Sequence, residues 1–144
     1  MKVKDIMTSN VECVWPEDTL QEAALKMKEM GIGPLPVCDR LHIVGMLTDR
    51  DIAIRGVAAG RDPRSTTVRD VMTREVIRCF EDEEVEEAER LMQSRQVRRI
   101  LVVNRDERLV GIVSLGDLAA EIGNPQRVGE VLQDVSEPSA MPRR

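Results

Sequence analysis

Tyrosine is absent from this chain, and phenylalanine and tryptophan occur once each. With 1% aromatic residues, the interior has to be built from Val, Ile, Leu, Ala and Met. A planar ligand would then be held between aliphatic walls rather than stacked on rings. Histidine also occurs only once, so no Ser-His or Cys-His pairing is visible from spacing. There is no P-loop and no dinucleotide glycine fingerprint. An enzyme is therefore the least supported class, and we expect none. The three cysteines, Cys13, Cys38 and Cys79, are odd in number and have no C-x-x-C spacing, which favours free thiols in a reducing cytoplasm. No run approaches about 18 consecutive apolar residues, so nothing reads as a membrane span. The opening Met1-Lys2-Val3-Lys4-Asp5 is charged rather than apolar, so no secretory leader is expected. The net charge of −5 argues against nucleic acid as a partner, since a polyanion needs a clustered basic face.

What the chain does have is a text written twice. Val3-Lys4-Asp5-Ile6-Met7-Thr8 returns 65 positions later as Val68-Arg69-Asp70-Val71-Met72-Thr73. Ala23 then meets Ala88, Met27 meets Met92 and Val37 meets Val102. After one inserted residue, Gly45-Met46-Leu47-Thr48-Asp49-Arg50-Asp51 meets Gly111-Ile112-Val113-Ser114-Leu115-Gly116-Asp117. A period this long is a duplicated half-domain rather than a solenoid unit. Each half alone would bury only about 60% of its unfolded surface, so both halves should fold as one unit of 144 residues.

Each copy reads as strand–helix–strand–strand–helix. In the first, Val11–Val14 is a short strand ended by Trp15-Pro16. Thr19 is a helix N-cap with Glu22 in capping-box position, and Leu20, Ala23, Ala24 and Met27 share one apolar face. The helix ends near Met30-Gly31. Leu35–Cys38 and His42–Leu47 are strands joined at Asp39-Arg40, and Asp49–Val57 is a second helix. In the second copy the strand is Val76–Cys79 and the helix Glu83–Ser94, with Val85, Ala88, Leu91 and Met92 inward. The hairpin spans Arg99–Asn104 and Leu109–Ser114, turning at Arg105-Asp106-Glu107. A helix over Leu115–Ile122 is stopped by Gly123-Asn124-Pro125. The fold class is α/β in content, of the α+β kind, with sheets inside and helices outside about a pseudo-twofold axis. The expected boundaries are repeat one at 1–60, a linker at 61–67, repeat two at 68–123, and at 124–144 a short helix near Arg127–Val135 with a flexible tail.

The V-x-D-[IV]-M-T openings and the glycine–apolar–[TS]-x-x-D closings, in order and at nearly constant spacing over roughly residues 1–122, resemble the tandem CBS-domain pair, or Bateman module. The stretch from Leu47 to Pro63 is particularly similar to small stress- or hypoxia-response CBS proteins of bacteria and archaea. The resemblance implies a stand-alone pair that associates as a homodimer through outer helices. It also implies a regulatory role toward an unknown protein partner, with an adenosine nucleotide as ligand.

The sharpest chemistry is the repeated Ser/Thr-x-x-Asp. A hydroxyl where a strand feeds a helix sits beside free backbone N–H groups and the positive end of the helix dipole, which suits a phosphate. An Asp one turn on can accept two hydrogen bonds from a vicinal diol such as a ribose. The same residues also serve as simple N-caps and first-turn acids. The resemblance implies Thr48 and Ser114 near phosphate, and Asp51 and Asp117 on ribose. It places Arg98 and Arg99 toward the phosphate, where a guanidinium can bind bidentately; otherwise they end a strand in solvent or pair with the acidic run Glu81–Glu87. The first copy has uncharged Gly33-Pro34 at the equivalent places, so two inequivalent clefts are expected. The cleft with Arg98, Arg99, Ser114 and Asp117 is the better site. Thr8 to Val11, Ile32, Pro36, Met46 and Ile112 can wall an adenine or simply form core. The Glu81–Glu89 run reads as a solvated helix face. No cofactor is required; AMP, ADP, ATP or another adenosine derivative is the expected ligand. The alternatives are a structural or protein-interaction module with degenerate, empty clefts, and a redox- or metal-linked stress protein using Cys13 or Cys38, with His42 nearby in sequence.

Overall fold

Local signals account for most of the helices. The computed structural model describes residues 1–137, so the tail expected at the C-terminus lies for the most part outside the described residues. Thr19 Oγ1 accepts from the Glu22 N–H and the Glu22 carboxylate accepts from the Thr19 N–H, both at 3.2 Å. This reciprocal cap starts α1 (Leu20–Met30), and Gly31 ends it in the left-handed region, at φ 66°. The chain then forms β1 (Pro34–Asp39) and β2 (His42–Thr48), turning through Arg40 at φ 60°. A single turn, α2 (Asp49–Asp51), continues as a π-helix over Ile52–Val57. There the wider spacing is visible in Ala58 N–H to Ala53 O at 2.9 Å and Arg61 N–H to Gly56 O at 3.0 Å. Next come α3 (Val68–Val71), β3 (Arg78–Phe80), α4 (Val85–Arg95), β4 (Arg99–Val103) and β5 (Leu109–Ser114). The last two helices are α5 (Leu115–Ile122) and α6 (Pro125–Ser136). Asn124 caps α6 through its side-chain oxygen, with Pro125 at the first helical position, so the residues that stop α5 also start the next helix.

Packing divides the chain differently from the sequence repeat. One unit is Glu12–Val76; the other joins Met1–Val11 to the chain from Ile77 onward. Each is α+β and has its own core. In the unit of Glu12–Val76, Val14 lies parallel to Val37, β1 pairs antiparallel with β2, and Met46 of β2 pairs with Thr73. In the other, β3 lies parallel to β4, β4 pairs antiparallel with β5, and Ile112 of β5 pairs with Thr8. Each opening motif therefore completes the sheet that carries the other copy's glycine.

The same exchange anchors the helical turns. Val3 N–H bonds Glu83 O at 2.9 Å and Lys4 N–H bonds Glu81 O at 3.0 Å; in the other unit Val68 N–H bonds Asp18 O at 2.8 Å and Arg69 N–H bonds Pro16 O at 2.9 Å. Val3 is fully buried among Cys79, Val85, Ala88, Met92 and Ile100; Val68 and Val71 are fully buried among Leu20, Ala23, Leu35 and Leu47. Burying each such valine is worth about 1.5–3 kcal/mol, which is why the openings leave their own repeat.

Two expectations need correction. Val11–Val14 is not a strand: only Val14 joins the ladder, because Asn10 at φ 57° turns the chain just before it and Pro16 just after it has no N–H to pair. The second-copy strand is Arg78–Phe80 rather than Val76–Cys79, in register with Leu101–Val103. The segment 61–67 between the repeats is tied to the start of α1. Leu20 N–H bonds Thr66 O at 3.0 Å, Gln21 N–H bonds Pro63 O at 3.1 Å, and Thr66 is buried.

Glycine is required where the Met-Thr pairs land. A Cβ on Gly111 would lie 2.5 Å from Met7 Sδ and 2.9 Å from Thr8 O; one on Gly45 would lie 2.8 Å from Thr73 O and 2.9 Å from Met72 Sδ. Gly111→Ala is expected to lower stability by about 1–3 kcal/mol through overpacking against backbone. Gly129→Ala, in the middle of α6 with open space around it, should raise stability by about 0.5–1 kcal/mol. Denaturant unfolding of both variants checks the contrast.

Candidate functional site

The end of β5 and the start of α5 bring the predicted residues of the second copy together. Ser114 Oγ accepts from the Asp117 N–H at 3.1 Å, and Asp117 Oδ2 accepts from the Ser114 N–H at 2.8 Å. Thr48 and Asp51 make the same reciprocal pair in the other unit, at 3.0 Å each way. Both Ser/Thr-x-x-Asp motifs are thus capping boxes, and this alone explains their spacing. The capping bonds use Oδ2 of each Asp, so the second carboxylate oxygen is chemically available as an acceptor.

Beside Ser114 opens a cavity of about 480 Å³. Arg98, Arg99 and Ser114 are its polar lining; Leu115, Gly116 and Ala119 of α5 and Val128 and Leu132 of α6 are the rest. That volume is within the range of small-molecule sites. Both arginines are exposed. The Arg98 guanidinium donates to Ser136 Oγ at 3.2 Å, and among the described residues no partner for the Arg99 guanidinium is found. Neither pairs with the acidic run. Asp117 is half-buried on α5 but does not line this cavity.

The other predicted residues fall in two groups. Thr8 pairs with Ile112 (N–H to O, 2.8 and 3.0 Å), in the unit that holds the cavity, with half-buried Val11 ending the same segment. Pro36 is buried on β1 opposite half-buried Met46 on β2, and exposed Ile32 precedes them, all in the unit of Glu12–Val76. Met46 pairs in turn with Thr73, the counterpart of Thr8. Sequence reasoning passed over Thr73, although the repeat itself marks it.

The two copies differ electrostatically where their strands feed the helices. Leu115 N–H bonds Arg98 O at 2.8 Å; in the first copy Asp49 N–H bonds Gly33 O at 3.0 Å. A carboxylate therefore stands where the second copy has leucine, and glycine stands where it has arginine. The Asp49 carboxylate fills the space beside Gly33, within 3.0 Å of where a Cβ would be. An anion is favoured at the second place and opposed at the first, even with Arg50 beside Asp49.

Helix α6 is the element that sequence reasoning underestimated. Val131 and Val135 enter the core, while Val128 and Leu132 wall the cavity. Its seat is an ion pair that corrects the reading of Glu81–Glu89 as a solvated face. Glu89 is buried, and Arg127 clasps its carboxylate with Nε at 3.1 Å and with a second, short bond from the guanidinium. Gln93 Nε2 holds Asp134 Oδ2 at 3.0 Å, and Gln96 Nε2 holds Glu137 O at 2.8 Å. Elsewhere in the run Asp82, Glu84 and Glu86 are exposed and Glu81, Glu83 and Glu87 half-buried; Asp82 pairs with Arg105, Glu84 with Lys2 and the N-terminus, and Glu87 with Arg90.

Among the described residues, no group of three or more His, Cys, Asp or Glu side chains is placed to hold a metal ion. No helix among them is long and apolar enough to cross a membrane.

The CBS domain family model matches residues 3–56 and 68–124. The chain is 43% identical over 134 residues to the CBS domain-containing protein YhcV of Bacillus subtilis, covering 93% of this chain and 94% of that one. It is 43% identical over 122 residues to hypoxic response protein 1 of Mycobacterium tuberculosis, covering 83% of each. Among solved structures, hypoxic response protein I with two coordinated zinc ions aligns at TM-score 0.75 and 40% identity, over 84% of this chain and 98% of that one. The CBS domain pair of protein MJ0100, in complex with 5-methylthioadenosine and S-adenosyl-L-methionine, aligns at 0.73 and 31%, over 85% and 100%. CBSX2 in complex with AMP aligns at 0.70 and 27%, over 85% and 98%.

The double use of Asp117 makes its substitutions separable. Asp117→Ala removes the acceptor of the Ser114 N–H and should cost about 1 kcal/mol of stability without any ligand. Asp117→Asn keeps an oxygen there and should cost no more than about 0.5 kcal/mol, from the lost charge at the helix N-terminus. Melting curves of the two variants check the ranking.

Proposed function

Because the chain belongs to the CBS domain family, we propose that it is a non-catalytic regulatory module that binds an adenosine nucleotide of the AMP, ADP or ATP class. The observation that carries this reading is the cavity in which Arg98, Arg99 and the Ser114 cap meet at the N-terminus of α5. Two guanidiniums offer forked donors to phosphate oxygens, and the positive end of the helix dipole adds to them. The apolar side, from Leu115 and Ala119 to Val128 and Leu132, suits a nucleoside held without aromatic stacking. Asp117, outside the cavity lining, is assigned to a ribose that reaches past the Ser114 cap, through its second carboxylate oxygen. Thr48 and Asp51 belong to the copy where Asp49 opposes an anion, so they are assigned the weaker role.

The adenosine compounds in the related MJ0100 and CBSX2 structures support the ligand class. A ligand that ties α5 to α6 changes the surface α6 presents, by shifting a conformational equilibrium that a partner protein reads. Association as a homodimer in the cytoplasm belongs to the same proposal. Exposed Leu25 on α1 and Ile54 and Val57 on the π-helix are apolar surface available for it.

AMP, ADP or ATP in excess should raise the melting temperature of the full chain, as any native-state ligand does by mass action; the shift corresponds to about 2.7 kcal/mol at a hundredfold excess over Kd. Arg99→Ala should abolish most of it while leaving the ligand-free transition in place, because the Arg99 guanidinium is exposed. Asp117→Asn should reduce it, measured against its own ligand-free curve. If no adenosine compound moves the transition, S-adenosylmethionine and NAD included, the module works by protein interaction alone.

A further inference from the structure

The thiols of Cys13 and Cys38 are free and 3.0 Å apart, Cys38 Sγ donating to Cys13 Sγ. Their backbones are tied by the Val14–Val37 bridge: Cys38 N–H bonds Val14 O at 2.9 Å and Val14 N–H bonds Pro36 O at 3.0 Å. The sulfurs therefore need to approach by only about 1 Å to reach disulfide length. The fold does not require this pair. At the same places in the second copy, 65 positions on, stand Arg78 and Val103, and the sheet there forms equally well. The third cysteine, Cys79, is buried in the other unit's core. Cys13 is half-buried and Cys38 buried, so one sulfur of the pair faces a reactant and the other waits behind it.

We propose that Cys13 and Cys38 form a reversible dithiol–disulfide site that reacts with low-molecular-weight disulfides. The Cys13 thiolate attacks one sulfur of the reagent; a Cys13–reagent bond forms and one reagent thiolate leaves. Cys38 then loses its proton and attacks Cys13 Sγ, expelling the second thiolate. The two cysteines are oxidised by two electrons, and one reagent disulfide is reduced to two thiols. Cys13 is the better attacker: the hydrogen bond from Cys38 holds its thiol below the ordinary range, with the Lys26 ammonium adding and burial opposing. Cys38 is pushed up by donating that bond and by burial, and so reacts second. Burial, with Glu83 and Glu87, pushes Cys79 up to about 12, which keeps it out of the exchange. The product closes a covalent loop around the whole of α1, locking the segment before it to β1. This site is independent of the nucleotide cavity.

The test is incubation of the full chain with oxidised glutathione, quenching with iodoacetamide, and peptide mapping by mass spectrometry. The expected result is one internal Cys13–Cys38 link with the loss of two hydrogen atoms, Cys79 alkylated only after unfolding, and reversal by dithiothreitol. The oxidised protein should melt above the reduced one, because the cross-link restricts the unfolded chain. Cys38→Ala should accumulate the glutathione adduct on Cys13, and Cys79→Ala should behave as the parent. Both Cys13 and Cys38 remaining alkylatable would overturn the proposal. So would a stable glutathione adduct on the parent protein, or a link through Cys79 or between chains. The map of the parent alone decides, should a variant not fold.

Discussion

Each half of this protein is finished by the other half's opening segment. Thr8 pairs with Ile112 over Gly111, and Thr73 pairs with Met46 over Gly45. Val3 fills the core behind β4 and β5, and Val68 and Val71 fill the core behind β1 and β2. The opening motif and the closing glycine are therefore partners in space, although they belong to different copies. A Cβ at either glycine meets backbone as well as a methionine, so the sheet edge and the glycine constrain one another. The close of each glycine strand is also where its Ser/Thr-x-x-Asp cap begins. The position of the cap, and of whatever it binds, depends on this exchange.

On that shared frame the copies have diverged in charge. Both keep the capping box, which stabilises the helix start whether or not a ligand is present. The second adds two arginines that line a cavity; the first puts a carboxylate beside a glycine. Only the first has the thiol pair, where the second has arginine and valine. Duplication supplied one architecture, and the chemistry was placed on it unevenly. The half-buried Glu89–Arg127 pair fits the same view. Its carboxylate side chain is 11% exposed while its guanidinium is 44% exposed, so the pair anchors a helix that walls the cavity while one partner still meets water.

Features set by residues within a few positions of each other were legible in the sequence. The Thr19–Glu22 cap, the Gly31 stop, both hairpins and the two Ser/Thr-x-x-Asp helix starts depend on local chemistry. The family was legible because four motifs recur in order. What depends on distant packing was not. The compact units change over at 11–12 and 76–77, because burial of Val3 and Val68 takes each opening segment out of its own repeat. Glu89 looked like one more acid on a charged face, since its partner Arg127 lies 38 positions away. The cavity-lining role of Val128 and Leu132 was hidden for the same reason, though their spacing with Val131 and Val135 marked an amphipathic helix. Val11–Val14 had strand composition, yet Asn10 and Pro16 leave it a single rung.

The most direct measurement is a crystal structure of the full chain grown with AMP. Phosphate density against Arg98, Arg99 and the Ser114 cap, with none at Gly33 and Asp49, is the predicted result. Density for the nucleotide at the Thr48 cap alone, or none at either cap at saturating AMP, would contradict it.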